Sequence, residues 1–158
     1  MIRAIFLDVD GTLISFSTHE IPASALRALA QAHERGVRLF IATGRAANDL
    51  GPLEGILYDG VVSLNGARCV ANDGRVVSLH PIPRADFERA LALSEEQDFA
   101  MGLELEEGVF VNRVTPDVKR VAHMVAHPVP EQTDLRELFG RVECCQLCFY
   151  FDAETQRR

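Results

Sequence analysis

The stretch Leu7-Asp8-Val9-Asp10-Gly11-Thr12-Leu13 decides how this chain is read. It closes a mostly apolar run over residues 2–9, the pattern of a buried strand that stops at a turn. Two carboxylates one residue apart stand at the C-terminal end of that strand, where open α/β sheets bind their ligands. At a strand exit both side chains can turn toward one point, and Gly11 permits a turn tight enough for the backbone to approach an anion. Two carboxylates about 4 Å apart repel by about 4 kcal/mol at an effective dielectric of about 20. A hard dication removes that cost, and Mg²⁺ favours one or two carboxylates, with phosphate and water completing its shell. The pair therefore points to phosphoryl chemistry. One carboxylate attacks phosphorus to form an acyl phosphate, and its neighbour protonates the leaving alcohol and then activates a water. Such a reaction needs its equatorial phosphate oxygens positioned and neutralised.

Working outward, Pro22 suits the first turn of a helix whose Leu26, Leu29, Ala30 and His33 share one face, and Gly36 ends it. A second buried strand over 37–42 runs into Thr43-Gly44-Arg45, where Thr43 can give a hydroxyl and a backbone N–H to a phosphate. A short helix is expected over 46–53 and a third strand over 61–64. This alternation calls for a parallel sheet with right-handed crossovers. The pattern then changes. Residues 67–71 and 75–80 flank Asn72-Asp73-Gly74, which is hairpin chemistry. Beyond Pro81 and Pro83 come a helix over 85–97, strands over 100–106 and 109–114, a helix from Thr115-Pro116, a shorter one near Thr133 and a strand over 142–151. The expected organisation is a parallel α/β part over residues 1–82 and an α+β part over 83–158.

A net charge of −7 argues against a nucleic-acid backbone as partner. No apolar stretch is long enough to span a bilayer and the start lacks the layout of a signal peptide, so the chain is read as cytoplasmic with no membrane partner. Cys144-Cys145 and Cys148 lie in an apolar run and are read as buried thiols, not as a metal site. His19, near the exit of the first strand, is a minor candidate for a substrate contact. His123 and His127 lack the acidic residue of a metalloprotease pattern, and Pro128 follows them at once.

Residues 7–12 resemble the first motif of the haloacid dehalogenase superfamily. Ala42-Thr43-Gly44-Arg45 is similar to its second motif in the form used by Cof-type phosphatases, and Leu64-Asn65-Gly66-Ala67 with its hairpin resembles the same subfamily. Phosphomannomutases share a similar first motif but lack the Thr-Gly-Arg form. The resemblance implies a partial Rossmann-like core followed by part of an α+β cap of type IIB. It implies Asp8 as nucleophile, Asp10 as general acid/base, and Mg²⁺ held by the Asp8 carboxylate and the Asp10 carbonyl. Gly11, Thr12, Thr43, Gly44, Arg45 and Asn65 then face the phosphate or the rest of the substrate, a small phosphorylated metabolite such as a sugar phosphate.

Two parts of the superfamily pattern are not recognisable: the third-motif lysine and the acidic fourth motif. Lys119 is the only lysine and falls in a helical stretch, and Glu131 and Asp134 follow a Pro-rich loop, not a strand. The chain is accordingly read as shortened within the cap, which leaves the first strand as an apolar sheet edge open to pairing with a second copy. An alternative reading is an inactive fragment that binds metal or phosphate, or only associates with another chain.

Overall fold

The computed structural model describes residues 2–15, 17, 18, 20–53, 55–125 and 127–152, with only the backbone of Pro52. The chain divides into two compact units, residues 1–80 and 81–158.

In the first unit, β1 (Ala4–Leu7), α1 (Ala23–Glu34), β2 (Arg38–Ala42), β3 (Gly60–Ser63), β4 (Arg68–Ala71) and β5 (Val76–Leu79) follow one another. The strands form one sheet in the order β1-β2-β3-β4-β5. The first three are parallel, with Leu7 opposite Ile41 and Ala42 opposite Val62, and β4 and β5 complete the sheet antiparallel. This is the α/β fold with a parallel-containing sheet that the alternation of elements requires. Val9, Leu13, Ile14, Ile41, Leu50, Leu53, Ile56 and Val61 form its core. Each fully buried aliphatic side chain of this kind stabilises the unit by about 1.5–3 kcal/mol. Along the opening stretch burial alternates: Asp8 and Asp10 are exposed while Val9 between them is buried. The core thus anchors the strand exit, and the two carboxylates are turned out of it together. Among the described residues β1 has β2 as its only strand partner, and Phe6, 60% exposed, stacks on Phe40.

The helix expected over 46–53 is not formed. Asp49 N–H bonds to the Ala46 carbonyl, and only Gly51–Leu53 makes a 3₁₀ turn, closed by Leu53 N–H to the Leu50 carbonyl. Pro52 lacks the N–H that an α-helix would need there, while Ala46, Leu50 and Leu53 still bury their side chains. The apolar spacing was therefore genuine and the period was not helical. The third strand ends one residue earlier than expected, because Leu64 adopts φ 49°.

The second unit carries α2 (Arg84–Glu96), β6 (Ala100–Leu105), β7 (Gly108–Val111), α3 (Pro116–Met124), β8 (Glu131–Gln132), α4 (Leu135–Phe139) and β9 (Gln146–Tyr150). Its sheet runs β8-β7-β6-β9. Met101, Leu103 and Leu105 of β6 cluster with Phe87 and Leu91 of α2 and Leu135 of α4. Ala100 lies in a second cluster with Val111, Val118 of α3 and Tyr150. Period-two alternation on β6 thus feeds two helical layers. Two details differ from the sequence reading, at Glu131 and at the start of the last strand. Glu131 lies in a two-residue strand parallel to β7 rather than in a loop. The short helix expected near Thr133 is α4, capped by Asp134, which accepts from the N–H groups of Arg136 at 2.8 Å and Glu137 at 3.1 Å. The last strand starts at Gln146, because Cys144 is buried in the cluster under α2 instead of pairing in the ladder.

Candidate active site

The turn after β1 is built by main-chain hydrogen bonds converging on one carbonyl. Thr12, Leu13 and Ile14 all donate to the Val9 carbonyl, at 3.3, 3.0 and 2.9 Å. Gly11 sits at φ 80°, a conformation in which a side chain would be strained. The Thr12 hydroxyl donates to Asp8 Oδ2 at 2.8 Å, which fixes one oxygen of that carboxylate. An open depression of about 390 Å³ lined by Gly11, Thr12, Leu13, Ser15, Ser17 and Pro22 lies against this turn.

Asp10 is held differently. Arg45 Nε and Nη2 donate to its two carboxylate oxygens at 2.9 and 2.7 Å, a two-pronged pair that joins residues 35 apart in sequence. Arg45 Nη1 reaches the Asp49 carbonyl at 3.3 Å and lies 3.8 Å from the Asp49 carboxylate. The hydrogen bonds it donates to Asp10 raise the Arg45 guanidinium above its ordinary range; partial burial opposes this, and the charges of Asp10 and Asp49 add to it.

The second segment is positioned by β2 and its neighbour β3. Thr43 is buried, and its N–H donates to the Val62 carbonyl at 2.9 Å, so that N–H is committed to the sheet and not to a phosphate. The expectation that Thr43 offers both groups is corrected to the hydroxyl alone. Thr43 Oγ1 accepts from Arg45 N–H at 3.1 Å, which leaves its proton to be donated. The segment 64–66 then braces the loop. Leu64 N–H bonds to the Arg45 carbonyl at 3.0 Å and Asn65 N–H to the Thr43 carbonyl at 3.1 Å. Leu64, Asn65 and Gly66 all take positive φ, at 49°, 54° and 95°. The Asn65 amide lies over Gly44, where an added Cβ would come within 3.2 Å of Asn65 Oδ1.

The structure therefore brings Asp10, Thr43, Gly44, Arg45 and Asn65 into one hydrogen-bonded and packed set, with Asp8, Gly11 and Thr12 in the adjoining turn. His19 lies outside the described residues. Lys119 is exposed on α3. Sequence reasoning missed Asp49 and Leu64. The four-residue spacing of Arg45 and Asp49 was a visible signal for the first, and nothing marked Leu64 for a positive φ.

The oxygen donors of Asp8 and Asp10 suit a hard dication in kind. Among the described residues no group of three or more His, Cys, Asp or Glu side chains converges into a metal site.

The paired carboxylates at the exit of β1, with a hydroxyl just past the end of β2, stand where open α/β sheets place their ligands. The chain belongs to the haloacid dehalogenase-like hydrolase family, which matches it over residues 5–157. It is similar to BT1666 of Bacteroides thetaiotaomicron, a phosphatase of the haloalkanoate superfamily, at 53% identity and TM-score 0.93, covering 99% of this chain and 59% of that one. The subclass IIB sugar phosphatase BT4131 is similar at 29% identity and TM-score 0.84, covering 98% and 61%. The HMP-PP phosphatase of Shigella flexneri is 28% identical over 123 residues, which are 77% of this chain and 45% of that protein. The YkrA protein of Bacillus subtilis is matched over 36% of its length, so the chain spans less than half of these curated relatives.

Proposed function

We propose that residues 1–82 are the N-terminal part of a Rossmann-like catalytic core, and residues 83–158 part of an α+β cap, of a Cof-type phosphomonoesterase. It acts on small phosphorylated metabolites, sugar phosphates or similar, with Mg²⁺ as cofactor in the cytoplasm. The observation that carries this reading is the strand exit itself: Asp8 and Asp10 are turned out of the core by buried Val9, and Asp10 is tied through Arg45 to the buried Thr43 at the end of β2. The phosphatase relatives support the same reading.

An Asp8 oxygen attacks phosphorus as the bond to the leaving alcohol breaks, and the alcohol takes a proton from Asp10. Asp10, now ionised, accepts a proton from water as the water oxygen attacks phosphorus. The bond from phosphorus to Asp8 then breaks, phosphate is released, and both side chains return to their starting states. The Thr43 hydroxyl donates to a phosphate oxygen; Gly11 and Thr12 on one side, and Gly44 and Asn65 on the other, line the seat of the phosphate. Bound through the Asp8 carboxylate and the Asp10 carbonyl, Mg²⁺ would supply charge neutralisation between nucleophile and phosphate.

A second reading, binding of phosphate or Mg²⁺ without turnover, is favoured by one observation: neither the third-motif lysine nor the acidic fourth motif is recognisable in the sequence. Release of phosphate from an aryl phosphate separates the two. The phosphatase reading expects Mg²⁺-dependent release that Asp8→Asn lowers more than about a thousandfold. Phosphate binding by a folded chain that releases none supports the second. Pairing of two copies along β1 belongs to the same proposal, and a strictly monomeric species at high concentration would exclude it.

A further inference from the structure

We infer that Arg45 serves the reaction through Asp10, as a positioning residue that holds that carboxylate by both oxygens, and does not itself bind the substrate phosphate. The inference rests on the phosphatase reading above and reassigns one residue that the sequence placed against the substrate.

Geometry supports it from three sides. Arg45 meets Asp10 with Nε and Nη2 in the planar two-point arrangement that a guanidinium forms with a carboxylate and an ammonium cannot. The third guanidinium nitrogen, Nη1, is directed to the Asp49 carbonyl and lies near the Asp49 carboxylate. All three guanidinium nitrogens are thus engaged by Asp10 and Asp49. The backbone of Arg45 is fixed as well, its N–H on Thr43 Oγ1 and its carbonyl on Leu64 N–H. Asp10, by contrast, sits on an exposed turn, 43% accessible at its side chain, where an untethered carboxylate would sample several rotamers. An acid/base group must be aimed at the atom it protonates, and a misplacement of about 1 Å costs on the order of a hundredfold in rate. The side chain that aims Asp10 is Arg45.

The test uses the 158-residue chain labelled with ¹⁵N, with the Arg45 Nε–H resonance identified by its loss in Arg45→Lys. Asp10→Asn is expected to shift that resonance and speed its exchange with solvent about tenfold. Inorganic phosphate with MgCl₂ is expected to move the amide signals of Thr43 and Thr12 while the Arg45 Nε–H stays in place. In the aryl phosphate assay, Arg45→Lys lowers kcat about tenfold with KM within about twofold, and added guanidinium restores part of the activity of Arg45→Gly. An Arg45 resonance that follows phosphate together with Thr43, that ignores Asp10→Asn, or a raised KM at unchanged kcat, overturns the inference alone. If no amide responds to phosphate, the phosphatase reading falls first and this inference with it.

Discussion

At the residue scale, the site is held by backbone conformations that few side chains tolerate. Asn65 at φ 54° is one of the residue types that reach the left-handed region at modest cost, and its N–H holds the Thr43 carbonyl. Asn65→Ala should cost about 1–2 kcal/mol of stability, because alanine pays for that φ without the local hydrogen bonding of an amide. Asn65→Gly should keep stability within about 0.5 kcal/mol while losing the amide that lies over Gly44. Urea denaturation of both variants, beside phosphate binding followed by calorimetry, separates the backbone role from the side-chain role. Equal stability in the two would mean that the positive φ is not the constraint. Asp8, Asp10, Thr43 and Asn65 were all legible in the sequence, since a paired carboxylate at a strand end and a hydroxyl at the next strand end are local patterns. The fork between Arg45 and Asp10 was not legible. It joins residues 35 apart, and only the parallel pairing of β1 with β2 brings their ends together.

At the element scale, the close approach of β3 to β4 depends on Gly60. A Cβ there would lie 2.8 Å from the Val70 carbonyl oxygen, a backbone atom that cannot move without breaking the strand pairing. Gly60→Ala should lower stability by about 1–3 kcal/mol in thermal unfolding followed by circular dichroism. Gly51→Ala, where nothing lies within 4 Å, should stay within about 0.5 kcal/mol and serves as the control. Strands and longer helices were predictable to within a few residues because their apolar periods are unambiguous. Residues 46–53 were not, since three apolar contacts to the core satisfy a turn as readily as a helix once Pro52 removes a donor. The two-residue β8 was likewise invisible, being defined by its register against Phe110 and Val111 and not by any run of its own.

At the scale of the whole molecule, the second unit carries buried groups whose titration is linked to folding. In the second unit burial pushes the Cys144 thiol up to about 11 and the Cys148 thiol up to about 12, the latter helped by the nearby charge of Glu104 and by its hydrogen bond to that carboxylate. Tyr150 is raised as well, chiefly by burial. These groups keep their protons in the folded state and lose them earlier when unfolded. Stability is therefore full below the ordinary thiol pKa of 9.0 and falls as pH rises from there toward 11 and 12. The slope is at most about 1.4 kcal/mol per pH unit for each thiol. Urea midpoints at pH 8 and pH 10 should show the decline, and Cys148→Ala should flatten it; an unchanged slope in that variant would assign the effect elsewhere.

The sequence by itself determined the class of fold, the two carboxylates at the end of β1, the hydroxyl at the end of β2 and the family to which the chain belongs. Each of these rests on residue type and short spacing, which survive without any knowledge of the third dimension. Tertiary structure alone decided that the Thr43 N–H is spent on Val62, that Leu64 and Asn65 brace the second motif, and that Arg45 grips Asp10. Those outcomes depend on which strand ends meet, because hydrogen-bond partners across a sheet are chosen by packing and register and not by neighbours along the chain.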